Sequence, residues 1–230
     1  MSNILIITAA DIKFKGMCDM LVRSIQELKG HQYHVYDLGG LGYGEKFSGK
    51  FQNKAGAKIP CKPEMIKKAL ERVNDNDFVV WMDADTILWD NLNSIKDNYD
   101  IGVTIRGPKF FKDQPCNAGV CMFRKTPKTL QFIDTWISMT EQGHSDQREM
   151  NRFLRGNMPS DWENKIIEIE GALFKLFPCK IYNNWGFKKP QLHAKITHYK
   201  SSRRLHWPKR VIGKPVNGKP LMAHRFPKEI

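Results

Sequence analysis

The sequence has no apolar segment long enough to cross a lipid bilayer. Its longest early apolar run covers residues 4–7, whereas a membrane-spanning helix needs about 20 residues. The N-terminus also lacks the basic segment and the long apolar stretch that mark a signal peptide. These absences predict a cytoplasmic protein without a transmembrane segment.

Cysteine and acidic residues are both scarce. The five cysteines are odd in number and lack the spacing of a metal site, which indicates reduced thiols in a reducing compartment. The chain has 24 acidic residues and 37 Lys and Arg, so its formal net charge is +13. The electrostatic field of such a protein attracts polyanions. Nucleic acid, an acidic glycan, an anionic membrane surface and a nucleotide diphosphate all fit this charge, whereas a purely cationic ligand does not. Peripheral attachment to a membrane surface is compatible with it.

The order of the segments predicts a single α/β domain. Apolar residues make up 41% of the chain, enough for one sizeable core. A strand pattern at residues 4–8 is followed by apolar residues at helical spacing over 17–28 and by a second strand pattern at 33–37. This order predicts a Rossmann-like, mostly parallel central sheet flanked by helices, with a late strand over 177–182. We expect residues 1–207 to form this domain and residues 208–230 a basic C-terminal extension.

Two aspartates follow the strongest predicted strand. Residues 78–82 (FVVWM) lead directly into Asp83, Ala84 and Asp85. Desolvating a carboxylate is costly unless it is paired or bound to metal, and open α/β sheets bind ligands at the carboxyl ends of strands. Alternate residues of an extended chain point to one side, so Asp83 and Asp85 can face one Mg²⁺ or Mn²⁺, and the small Ala84 leaves room for a ligand. The alternative is an ordinary polar turn.

Residues 78–88 (FVVWMDADTIL) resemble the metal-binding segment of glycosyltransferases with the GT-A fold. In that family the acidic pair, called the DxD motif, binds a divalent cation that clamps the donor diphosphate. Residues 116–120 (CNAGV) resemble the segment at the sugar-binding wall, and residues 145–151 resemble the Asp-Gln…Asn segment beside the transferred sugar. Residues 198–204 (HYKSSRR) are similar to the late segment that closes over the diphosphate, with Ser201 and Arg204 where the family often has Gly and Lys. The resemblance spans about residues 3–207.

The resemblance implies a set of site residues. It places Asp146 on a sugar hydroxyl, Gln147 near the anomeric carbon and Asn117 on sugar hydroxyls. It implies a metal held by Asp83, Asp85 and His198, where a nitrogen ligand favours Mn²⁺ over Mg²⁺. The residues implied to bind the donor are Thr8, Ala9, Ala10, Asp11, Lys62, Asp83, Ala84, Asp85, Ala118, Gly119, Lys200, Ser201 and Arg204.

Each of these residues also has an ordinary structural interpretation. Asn117 fits a turn that enters a strand, and Ser145 or Asp146 fits the cap of a helix. His198 fits a structural histidine, whereas Lys62 and the late basic residues fit a solvated surface. Residues 182–185 (YNNW) fit either a sugar contact or core packing.

The combined pattern predicts an enzyme that is a metal-dependent glycosyltransferase, with Mn²⁺ or Mg²⁺ as cofactor. We expect a nucleotide diphosphate-sugar donor, with a UDP-sugar favoured, and transfer to a glycan with retention of anomeric configuration. The charge suggests an acidic or membrane-associated acceptor, and no nucleic acid is expected as a partner. A sugar nucleotidyltransferase is an alternative, although residues 9–16 hold one Gly only. A basic nucleic-acid-binding module would explain the charge but not the paired aspartates.

Overall fold

A computed structural model describes residues 2–48, 62–141, 145–185 and 193–199, and four two-residue strands outside these ranges. The helices are α1 (Lys15–Leu28), α2 (Lys62–Leu70), α3 (Pro127–Glu141), α4 (Asp146–Leu154) and α5 (Cys179–Tyr182), with short 3-10 helices at Ile12–Phe14, Asn93–Ile95 and Pro108–Phe110. The strands are β1 (Ile4–Asp11), β2 (Gln32–Gly39), β3 (Glu45–Lys46), β4 (Phe51–Gln52), β5 (Lys58–Ile59), β6 (Phe78–Met82), β7 (Thr86–Leu88), β8 (Ile101–Ile105), β9 (Cys116–Arg124), β10 (Ile166–Ile169), β11 (Ala172–Pro178), β12 (Asn184–Trp185), β13 (Ile196–His198), β14 (Pro215–Val216) and β15 (Lys219–Pro220).

Eight strands form the central sheet in the order β10-β11-β8-β9-β6-β1-β2-β3. The pairs β1–β2, β1–β6, β2–β3 and β8–β11 are parallel, whereas β9 runs antiparallel to both β6 and β8. The prediction of an α/β fold with a mostly parallel sheet flanked by helices is therefore confirmed. Because β9 is reversed, its first residues lie beside the carboxyl end of β6, where Met82 pairs with Val120.

A second sheet of three strands, β12-β13-β7, lies after the carboxyl end of β6. β13 runs antiparallel to β7, and His198 pairs with Thr86. The backbone N–H of Tyr199 donates to the carbonyl of Asp85 at 2.8 Å. This pairing brings a late segment of the chain against the predicted acidic motif.

The core has two layers, one on each face of the sheet. Along β6, Val79 and Trp81 face the layer formed by α2, α3 and α4, whereas Val80 and Met82 face the layer that contains α1. All five residues of β6 are buried, as expected of a strand covered on both faces. The near-continuous apolar run in the sequence therefore reflects a central position in the sheet.

The prediction of a strand over residues 177–182 was wrong for its second half. The strand ends at Pro178, and the next four residues form α5. Proline has no N–H with which to extend a ladder, and the chain turns into a helix directly after it. No helix among the described residues is both long and apolar enough to span a membrane.

Candidate active site

The candidate site lies where β6 ends and β9 begins. The backbone N–H of Asp83 donates to the carbonyl of Gly119 at 2.8 Å, which continues the antiparallel ladder by one step. The indole Nε1 of Trp81 donates to Oδ1 of Asp83 at 2.8 Å and fixes that carboxylate. Asp85 is almost fully buried, with 3% of its surface exposed. Two carboxylates therefore stand at the carboxyl end of a buried strand, as expected of a ligand site in an α/β sheet.

Asp83, Asp85 and His198 converge in a way that can hold a metal ion. One ligand atom from each lies within 4.8 Å of the other two. Nε2 of the fully buried His198 is 2.9 Å from Oδ1 of Asp85 and 3.6 Å from Oδ2 of Asp83. This nitrogen makes no contact of hydrogen-bond geometry within the described part of the chain. A buried nitrogen facing two carboxylates is a donor set that suits a divalent cation, so the residues fit the expected metal.

Gly119 makes room for this arrangement. A Cβ atom at residue 119 would lie 2.2 Å from Cε1 of His198 and 2.9 Å from Oδ2 of Asp83. Real Cβ contacts essentially never fall below 3.0 Å. The glycine is therefore needed for the close approach of two candidate ligands to the backbone of β9.

Lys62 connects the acidic motif to the start of α4. Its ammonium lies 3.1 Å from Oδ1 of Asp83 and 2.8 Å from Oδ2 of Asp146, and it donates to the carbonyl of Ala118 at 2.9 Å. Burial lowers the pKa of Lys62, but the charges of Asp146 and Asp83 outweigh it and leave the pKa raised above its usual value. Lys62 is therefore a permanent cation, and it forms an ion pair rather than a solvated surface contact.

A family model described as nucleotide-diphospho-sugar transferase matches residues 62–205, which is more than half of the chain. The chain belongs to the nucleotide-diphospho-sugar transferase family. The matched range contains every residue of the site described so far. The transferase is therefore an enzyme that acts on a nucleotide-diphosphate sugar, as predicted.

Solved structures agree with this assignment at the level of the fold. The transferase is similar to a glycosyltransferase involved in glycosylation of the major capsid of PBCV-1, with 15% identity, a TM-score of 0.61, and coverage of 88% of this chain and 96% of that chain. It is also similar to the glycosyltransferase GlyE of Streptococcus pneumoniae TIGR4, with 12% identity, a TM-score of 0.58, and coverage of 92% of this chain and 61% of GlyE. The GT-A fold is thus confirmed. The sequence matches no curated protein.

The structure places other predicted residues of the transferase around the same edge of the sheet. Asn117 is fully buried, and its Oδ1 accepts from the N–H of Gly119 at 3.3 Å. Ala84 packs in a small cluster with Ala10 and is also buried. β1 pairs with β6 as far as Ile7, opposite Trp81, and continues to Asp11, which caps the 3-10 helix Ile12–Phe14. Thr8 and Ala9 lie on the same strand end. The donor contacts of these residues stay predictions.

Asp146 and Gln147 occupy the first turn of α4. The sequence alone did not decide whether Ser145 or Asp146 caps this helix. Ser145 is the N-cap, because its hydroxyl accepts from the N–H of Arg148 at 3.2 Å. The Asp146 carboxylate is therefore available to pair with Lys62, while Gln147 faces Gln114 across 3.5 Å. Lys200, Ser201, Arg204 and the basic extension over 208–230 lie outside the described residues, apart from β14 and β15 in that extension. The predicted domain boundary stays a prediction.

One part of the site was not expected from the sequence. Asn183 belongs to the segment considered for sugar contact, but it is fully buried behind His198, with Oδ1 2.8 Å from Nδ1 of the histidine. Its neighbour Tyr182 packs on Phe177 at a ring distance of 4.8 Å. No local motif marks Asn183, since the contact joins two segments that are 15 residues apart.

Proposed function

We propose that this transferase is a metal-dependent, retaining glycosyltransferase that moves a sugar from a UDP-sugar to a glycan acceptor. The observation that carries the proposal is the convergence of Asp83, Asp85 and the buried His198 on one point. Mg²⁺ prefers an all-oxygen shell, whereas Mn²⁺ accepts an imidazole nitrogen readily. We therefore propose Mn²⁺ as the preferred cofactor and Mg²⁺ as the alternative.

The chemical difficulty of sugar transfer is the charge that develops as the anomeric C–O bond breaks. The leaving diphosphate gains negative charge, and the sugar ring gains positive character. When bound by Asp83, Asp85 and His198, a divalent cation would neutralise the diphosphate charge. The ammonium of Lys62 lies against Asp83 and adds a fixed positive charge at the same edge.

Asp146 is proposed to face the transferred sugar. Its carboxylate is held 2.8 Å from Lys62, which also binds Asp83, so one cation ties it to the proposed diphosphate centre. A carboxylate and an amide beside the ring suit an oxocarbenium-like transition state, and we assign these roles to Asp146 and Gln147. Retention of configuration is proposed because the segments that contain Asp146, Gln147 and His198 resemble those of retaining families, and the proton NMR spectrum of the product anomer tests it.

The donor is proposed to lie along the edge formed by β1, β6 and β9. The last four residues of β1 lie just past its pairing with β6 and would receive the nucleoside; they are Thr8, Ala9, Ala10 and Asp11. Ala118 and Gly119 begin the antiparallel strand next to Asp83 and would line the sugar. Asn117 would act indirectly, by holding the backbone of Ala118 and Gly119 in place, because its buried side chain accepts from the N–H of Gly119.

The acceptor is proposed to bind in a cavity of about 320 Å³ at the start of α4. Gln147 lines this cavity and is the next residue after Asp146, so the cavity adjoins the proposed donor sugar. Arg148 and Arg155 give it positive charge, which suits the acidic acceptor that the net charge suggests. The remaining lining residues are Asp113, Gln114, Ser145 and Asn151.

The test is metal-dependent turnover of a UDP-sugar. UDP release is measured for the wild-type chain with Mn²⁺, with Mg²⁺ and with EDTA, and for Asp85→Asn. We expect release only with a divalent cation, and a loss of at least about 100-fold in Asp85→Asn, because a metal ligand is removed. The matched control is Asp90→Asn, an exposed aspartate paired with Lys195 at 2.8 Å, which should leave turnover unchanged. Turnover in EDTA, or full activity of Asp85→Asn, would refute the proposal.

A further inference from the structure

Asn183 sits at the centre of a buried polar network behind the proposed metal ligands. It follows α5 as the C-terminal cap residue and has no exposed surface. Its side-chain nitrogen Nδ2 lies 2.8 Å from Oγ1 of Thr104 and 2.9 Å from the carbonyl oxygen of Asn117. Its side-chain oxygen Oδ1 lies 2.8 Å from Nδ1 of His198.

The orientation of this amide follows from its partners. A backbone carbonyl such as that of Asn117 only accepts hydrogen bonds, so the amide NH₂ group must face it. The opposite orientation would place two oxygens 2.9 Å apart in a fully buried site. Thr104 fits the same orientation, since its hydroxyl donates to the carbonyl of Asn117 at 2.8 Å and can accept from Asn183. Oδ1 of Asn183 therefore faces His198.

The protonation of the histidine ring follows in turn. Oδ1 of Asn183 is an acceptor, so Nδ1 of His198 must carry the proton that bridges them. With Nδ1 engaged in this way, Nε2 is the ring nitrogen that a cation would use. Nε2 is the atom that lies 2.9 Å from Asp85 and 3.6 Å from Asp83, and it has no hydrogen-bond partner in the described ranges.

We propose that Asn183 is a positioning residue that keeps a proton on Nδ1 of His198 and aims Nε2 at the point between Asp83 and Asp85 where a cation would lie. This inference rests on the proposed metal site, because it explains how Nε2 of His198 is held towards that site. Histidine ligands commonly donate their second ring N–H to a fixed acceptor, which sets the ring orientation and raises ligand basicity. The same amide donates to the carbonyl of Asn117, so it connects His198 to the start of β9, which is proposed to line the sugar.

The direct test is the position of the ring proton of His198 in the metal-free chain of 230 residues. Nitrogen-15 and proton correlation spectra show directly which ring nitrogens of a histidine carry a proton. The chain has seven histidines, and the spectrum of His198→Gln identifies the signal of residue 198. We expect a proton on Nδ1. A protonated Nε2 with a bare Nδ1 would overturn the inference.

A second test measures Mn²⁺ affinity by electron paramagnetic resonance of the free ion. Asn183→Leu removes the acceptor and should weaken binding by about 10- to 100-fold. The control is Asn184→Ala, because Asn184 is also largely buried but donates to the carbonyl of Lys180, and its affinity should match the wild type. Unchanged affinity in Asn183→Leu would overturn the inference.

The two tests separate this inference from the proposed function. If the wild-type chain binds no Mn²⁺, the proposed metal dependence fails, while the tautomer of His198 still decides the role of Asn183. If Asn183→Leu does not fold, the tautomer in the wild-type chain again decides it, since that measurement needs no substitution of Asn183.

Discussion

Gly119→Ala is expected to disrupt the metal site by contact alone. The new Cβ would lie 2.2 Å from Cε1 and 2.5 Å from Nδ1 of His198, where ordinary contacts begin at 3.4 Å. The ring must therefore retreat by about 1 Å, and it is fully buried, so the surrounding core must yield. Overpacking of this kind costs about 1–3 kcal/mol, which lowers the melting temperature by about 2–12 °C for a chain of this size.

The effect on metal binding is expected to be separate from the effect on stability. A displaced ligand weakens Mn²⁺ binding by about 10- to 100-fold, or about 1.4–2.7 kcal/mol, measured by titration at a temperature where the variant is folded. The matched control is Gly16→Ala in α1, because a Cβ there meets nothing within 4 Å, and it should keep the affinity and gain slight stability. A folded Gly119→Ala chain with wild-type Mn²⁺ affinity would refute the placement of His198 in the site.

Two further substitutions test the electrostatics of the fold. Lys62→Met leaves the carboxylates of Asp83 and Asp146 without their shared cation. We therefore expect a loss of about 100-fold in UDP release and a lower melting temperature. Turnover equal to the wild type would exclude a role for this ion pair in the reaction. The hydrogen bond from Lys68 lowers the pKa of Glu45 to about 2, so the stabilisation is present above the ordinary carboxyl pKa and is lost as the pH falls towards 2. Glu45→Gln should therefore cost about 1 kcal/mol in urea unfolding near pH 7 and little near pH 2, and an equal cost at both values would contradict this pairing.

The acidic motif could be predicted because its information is local. A continuous apolar run ends in Asp83-Ala84-Asp85, and the burial of β6 follows from that short segment. The extended chain expected for the acidic pair was wrong, because the N–H of Thr86 donates to the carbonyl of Asp83 at 3.0 Å and closes a turn there. The convergence of the two carboxylates therefore depends on this turn and on His198. The helix at residues 146–154 was also predictable, although its cap was not, since Ser145 and Asp146 are equally good caps and the choice is made by Lys62.

The rest of the site depends on contacts between distant segments. His198 reaches Asp85 through the pairing of β13 with β7, and Asn183 reaches Thr104 across 79 residues. Residue 119 must be glycine because the ring of His198 occupies the space that a Cβ atom would fill, and not because of the backbone angles of Gly119. From the sequence, only the resemblance to a family predicted that His198 would lie with Asp83 and Asp85. That resemblance did not point to Asn183.

The most direct test of the account is Mn²⁺ binding in the presence and absence of UDP, followed by electron paramagnetic resonance of the free ion. We expect one saturable Mn²⁺ site, tighter binding when UDP is present, and loss of both in Asp85→Asn. Absence of a saturable site with and without UDP, or a site that Asp85→Asn leaves intact, would contradict the claim that Asp83, Asp85 and His198 hold a cation for a nucleoside diphosphate.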